Sequence, residues 1–124
     1  TAEAKRVMEQ QNLEVDFLKV NSQLDLFNFR PRLQLKFDSQ KRNTHFIGPC
    51  SKCGGFREVI GSQPVFLLGV SAPVSEGMFR TDLEFGSGCS KGPALIVGIQ
   101  TKLKLEQLKN SGCTYLPITQ DPSI

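Results

Sequence analysis

A chain of 124 residues is the size of one ordinary domain and buries about two-thirds of its unfolded surface, so a core needs no obligatory staple. It is 39% hydrophobic and 22% charged with a net charge of +3, which excludes wholesale disorder and falls short of a nucleic-acid binder's dense basic stripe. Nine Phe, one Tyr and no Trp make the aromatic content almost wholly apolar, so most rings belong in a core.

The start, Ala2 to Gln11, is rich in good helix formers. Thr1 suits the cap, Glu3 falls in the first turn, and Val7 and Met8 are the strong apolar anchors, with Ala4 on their face. Leu13, Val15 and Phe17 then alternate with Glu14 and Asp16, which predicts a strand after about residue 11. The competing pattern, Leu13, Phe17, Val20 and Leu24 at helical spacing, would extend the helix to about residue 24 and make the fold α+β.

Beyond this point period-2 alternation dominates. Leu24-Asp25-Leu26 and Phe27-Asn28-Phe29 alternate in two frames, so a bulge is expected between them. Pro31 marks a strand end or edge. Leu33, Leu35 and Phe37 alternate with Gln34, Lys36 and Asp38 as a half-buried antiparallel strand does. Ser39 to Asn43 reads as a polar turn. Val65 to Val70 reads as a fully buried strand, and Phe79 to Phe85 as an alternating one. A last long strand is predicted from about Leu95 to Leu105, ending in Leu103-Lys104-Leu105, with a helical turn at Glu106 to Asn110. The tail, residues 116–124, reads as loosely held.

About seven to nine strands with closely spaced turns predict a mainly β fold, an antiparallel β-sandwich or barrel with a short N-terminal α-helix. With no linker in sight, residues 1–124 read as a single domain. No apolar stretch approaches the roughly 20 residues of a membrane helix, so no membrane span is expected. The chain opens without an initiator Met or a signal-peptide pattern, which reads as a matured or excised product.

The chemistry lies in the cysteines, Cys50, Cys53, Cys89 and Cys113. Gly48-Pro49-Cys50-Ser51-Lys52-Cys53-Gly54-Gly55 resembles the knuckle of zinc ribbons, in which a C-x-x-C turn points two thiolates at one metal. That resemblance implies a zinc site with Cys50 and Cys53 as ligands. A second C-x-x-C is missing. Cys89-Ser90-Lys91-Gly92 repeats the Cys-Ser-Lys tripeptide but has Gly at the fourth place, so beside Cys89 either Cys113 or His45 would have to complete the site. Two structural disulfides account for four cysteines equally well. A redox-active C-x-x-C is weaker, because such motifs open a helix and Gly54-Gly55 follows here. Zinc would point to the cytoplasm or nucleus and disulfides to secretion, so the compartment stays open.

Other signals are set aside. His45, the sole histidine, would have to serve any Ser-His-Asp or Cys-His enzyme alone. Gly86 to Gly92 lacks the spacing of a phosphate loop. Asp16, Asp25, Glu58, Glu76, Asp82 and Glu84 are scattered, which gives no support to paired-carboxylate chemistry. Arg30, Arg32, Lys36, Lys41 and Arg42, interleaved with Phe29 and Phe37, form the densest basic segment. The expected function is a non-enzymatic binding or assembly module, with a protein partner or self-association. The alternative is an intracellular zinc-stabilised domain binding nucleic acid through that basic strand-turn segment.

Overall fold

The computed structural model describes residues 1–11, 13–21, 23–70, 74–108 and 113–118. The fold is mainly β with an N-terminal helix. In chain order the elements are α1 (Ala2–Gln10), β1 (Val15–Asn21), β2 (Leu24–Pro31), β3 (Leu33–Phe37), α2 (Ser39–Arg42), β4 (His45–Pro49), β5 (Phe56–Ile60), β6 (Leu67–Leu68), β7 (Met78–Ser87), a 3-10 turn (Gly88–Ser90), β8 (Gly92–Val97) and α3 (Ile99–Leu105). β1 and β2 form a two-stranded antiparallel sheet. A six-stranded sheet has the order β4-β5-β7-β3-β6, with β8 paired to β7.

The chain divides into two compact units. The first comprises Thr1–Gln34, Ala72–Arg80 and Leu95–Tyr115; the second comprises Leu35–Ser71, Thr81–Ala94 and Leu116–Ile124.

In the first unit α1 begins as its sequence predicts. The Thr1 hydroxyl accepts the Ala4 N–H at 3.2 Å, which satisfies one of the four amides a helix start leaves open. Lys5 and Glu9 pair across one turn at 3.4 Å, and the Lys5 ammonium stands 4.8 Å from the Phe27 ring. Met8 is buried against Val15, Met78 and Leu105, with Val7, Leu13, Phe17 and Phe29 packed around them. The strand after the helix is real, and the single helix to about residue 24 is not formed. The expected bulge is present in β2. Lys19 pairs with Phe27 and Asn21 with Leu24, so two steps along β1 answer three along β2.

Two expectations are corrected. The long final strand stops at Val97, and Ile99–Leu105 is helical, including Leu103-Lys104-Leu105. Thr101 and Leu105, one turn apart, are buried, and Leu108 continues the same stripe, so helical spacing carried the core contacts. The break is at Gly98, which offers no side-chain cap. The amides of Gly98, Ile99 and Gln100 donate instead to the carbonyls of Gly77, Val74 and Ser75, while Thr101 Oγ1 accepts the Gly77 N–H at 2.9 Å. A Cβ at position 98 would stand 2.6 Å from Glu76 N and Cα. Gly98→Ala is therefore expected to lower unfolding free energy by about 1–3 kcal/mol, measured by chemical denaturation. An unchanged denaturation midpoint would contradict the tight backbone approach.

The second correction concerns Val65 to Val70. Only Leu67 and Leu68 form a strand, and Leu68 is exposed while Val65 and Leu67 are buried. β6 ends the sheet order, so its outward side faces solvent. Ser39 to Asn43 also gains detail as a helical turn. Asp38 Oδ1 accepts the Lys41 N–H at 3.0 Å, and Asn43 closes the turn at φ 59°. Of the tail, residues 119–124 lie outside the described residues, as do residues 109 and 110 of the expected helical turn.

Candidate functional site

Two features of the described residues carry functional chemistry, one in each unit. The first is the cysteine turn. β4 and β5 form an antiparallel hairpin in which Pro49 pairs with Phe56 and His45 with Ile60. The turn is closed by Cys50 N–H to Gly55 O at 2.7 Å and by Gly54 N–H to Cys50 O at 3.0 Å. Gly54 sits at φ 72°, left-handed backbone that a side chain would strain, so glycine is the residue for this corner. The Phe46 and Phe56 rings brace the hairpin with centroids 5.0 Å apart.

This folding gives Cys50 a specific environment. The backbone N–H groups of Cys53, then of Lys52, then the Cys53 thiol, bond to its sulfur and hold its pKa below the usual thiol range. Cys50 and Cys53 are both exposed and free at the tip of the hairpin. β5, and no helix, follows the turn, so the helix N-terminus that activates redox C-x-x-C pairs is not at this turn.

The remaining predicted ligands are distributed. Cys89, also free and exposed, lies in the 3-10 turn after β7. β5 pairs with β7 through Glu58 with Ser87 and Val59 with Gly86, and Cys89 follows the end of that strand. The Lys91 ammonium donates to the Phe56 carbonyl, which ties the second Cys-Ser-Lys turn to the foot of the first. Cys113 is exposed and belongs to the first unit, where it meets Tyr115. The Tyr115 phenol is pushed up by burial first, then by the charge and hydrogen bond of Cys113 and the charge of Glu106. His45 pairs with Ile60 at the opposite end of the hairpin from the cysteines. Five strand residues span about 16 Å, too far for a shared ion. Among the described residues no group of three or more His, Cys, Asp or Glu side chains is arranged to hold a metal.

The basic segment is likewise divided. Arg30 and Arg32 belong to the first unit and Lys36, Lys41 and Arg42 to the second. Arg32 Nε lies 3.6 Å from Asp16. The Lys41 ammonium stands 4.9 Å from the Phe66 ring, and Arg42 Nε donates to the Gln63 carbonyl. Arg30 and Lys36 are exposed, on β2 and β3 respectively. Several carboxylates also have structural work: Asp82 Oδ1 accepts the Phe37 N–H at 2.9 Å, and Glu58 accepts the Ser87 hydroxyl at 3.5 Å.

The second feature was not singled out from the sequence. In the two-stranded sheet, alternation puts Val15, Phe17, Phe29 and Pro31 on one face, toward α1 and the core. The other face holds Asp16, Leu18, Val20, Leu26, Asn28 and Arg30. Leu18 is 72% exposed, Val20 58% and Leu26 45%. Three large aliphatic side chains on one small sheet face are an open apolar patch with charges at one end. The signal was present as Leu18-Lys19-Val20 within β1, but a single strand does not tell which of its faces a neighbour covers. Comparison with protein-family models, with curated proteins and with solved structures found no match to this chain.

Proposed function

We propose that the chain is a non-enzymatic assembly module that associates through the open face of its β1–β2 sheet, the partner being a second copy of the same chain. The observation that carries this reading is the exposure of Leu18, Val20 and Leu26 on one face of a sheet whose other face is packed. A two-stranded sheet is marginal by itself, and covering its second face stabilises it. The face is self-complementary. Asp16 pairs in register with Arg30. Two copies stacked about an axis along the strands set each β1 over the other copy's β2. Asp16 of one copy then meets Arg30 of the other, and Val20 meets Leu26. Such two-fold contacts are the commonest route to a homo-oligomer.

The test is sedimentation across a concentration series in the presence of a chelator, comparing the natural chain with Leu18→Glu/Val20→Glu. Burying an aliphatic side chain contributes about 1.5–3 kcal/mol, so the double charge is expected to weaken association by at least about 100-fold. Circular dichroism of the variant stays unchanged, since both positions face solvent in the single chain. A natural chain that remains monomeric at every concentration, or a variant that associates as well as its parent, would overturn the reading.

A further inference from the structure

We propose that the Cys50–Cys53 turn is half of a zinc site, and that the same turn of a second copy supplies the other half. This goes beyond association through the β1–β2 face and uses different residues in the other unit of the chain.

The argument starts from what the turn provides. Structural zinc takes four ligands in a tetrahedron, and thiolates suit it. The hairpin tip presents two sulfurs, both exposed, on a turn whose hydrogen bonds fix its shape. Two further ligands are then required. No third His, Cys, Asp or Glu among the described residues stands with this pair in a group that could hold an ion. His45 is at the other end of the hairpin. Cys89 and Cys113 do not complete such a group with this pair among the described residues.

A second copy of the turn supplies the two further thiolates. The rest of the tip is Ser51, Lys52 and Gly54, all exposed, and the space beside Gly54 is open. The charge also balances. Four thiolates around Zn²⁺ leave a charge of about −2, and each copy brings one exposed Lys52 within its own turn. On assembly four S–H protons leave to solvent and four Zn–S bonds form, and no atom changes oxidation state.

The experiment uses the full-length chain, reduced, at micromolar concentration, with zinc chloride as the probe. It is run in the natural chain and in the Leu18→Glu/Val20→Glu background, so that failure of the β1–β2 contact and failure of the clasp read out separately. The expected result in the double-glutamate background is one zinc per two chains, a dimer by sedimentation, and return to monomer on chelation. In the natural chain zinc adds a second two-fold contact, so the species grow beyond those the chelator leaves, to a closed tetramer or a longer chain of copies. Cobalt in place of zinc gives the absorption of a tetrahedral four-sulfur site. Cys50→Ser and Cys53→Ser each abolish the zinc-dependent dimer, whereas Cys89→Ser and Cys113→Ser leave it intact. One zinc per chain in a monomer, loss of binding in Cys89→Ser, or no zinc retained after desalting would each overturn the proposal.

Discussion

Met78→Ala is expected to remove about 2–5 kcal/mol from the stability of the chain, the range for emptying a large buried side chain. Met78 is 3% exposed and packs with Met8, Val15 and Leu105 in the first unit. That cluster draws one residue each from α1, β1, β7 and α3. Its members are therefore far apart in sequence, and a cavity at Met78 loosens four elements together. Half-buried Val7, Leu13, Phe17, Phe29, Val97 and Leu108 surround the cluster. They lie nearer solvent, so their inward collapse recovers only part of the loss. Leu103→Ala is the matched control. Leu103 is 49% exposed on α3, and its truncation is expected to change stability by no more than about 0.5 kcal/mol. Denaturant titration at unchanged slope measures both. Equal effects from the two substitutions would show that the core is not where burial puts it.

The same cluster explains how much of the fold was legible in the sequence. Local chemistry was readable. The Thr1 cap, the strand beginning after residue 11, the bulge in β2 and the turn at Cys50 each depend on neighbours within a few residues. α3 was misread because Leu103-Lys104-Leu105 carries a period-2 pattern, although Leu105 is buried and Leu103 is exposed. Helical spacing from Thr101 through Leu105 to Leu108 was equally visible. The apolar residues after Leu95 serve β8 only as far as Val97, and the helix begins at Ile99. The stop lies in Gly98, whose demand for glycine comes from Glu76, twenty-two positions earlier, and no local pattern carries that contact. Val65 to Val70 failed for a related reason, since an edge position is a property of sheet order.

The functional features divide along the same line. The cysteine turn was found because its spacing is local, and its hydrogen bonds follow from that spacing. The basic segment is continuous in sequence, and the contacts of Arg32 with Asp16 and of Arg42 with Gln63 are not visible in any local pattern. The open face of β1–β2 needed the opposite information. Leu18 and Phe17 are adjacent and equally apolar in the sequence, and only the packing of Phe17 on the core leaves Leu18 outside.

Thr81→Val tests a buried hydroxyl that joins two backbone groups in the second unit. Thr81 is 0% exposed in the middle of β7. Its hydroxyl donates to the Leu83 carbonyl at 2.7 Å and accepts the Ala94 N–H of β8 at 2.9 Å. Valine keeps the shape and removes both bonds, so two part-buried backbone groups lose this partner. Each stranded group costs about 1–3 kcal/mol, well above the net worth of an ordinary hydrogen bond. Thr81→Ser sets the other limit. It keeps the hydroxyl and gives up one methyl group, a loss of about 1 kcal/mol. The expected order of stability is therefore threonine, serine, valine, although valine is the more apolar and the closer in volume. Hydrogen exchange localises the effect: in Thr81→Val the Ala94 amide loses protection relative to the amides of β4 and β5. The reverse order, with valine above serine, would mean that the methyl contact and not the hydroxyl holds β8 to β7 at this point.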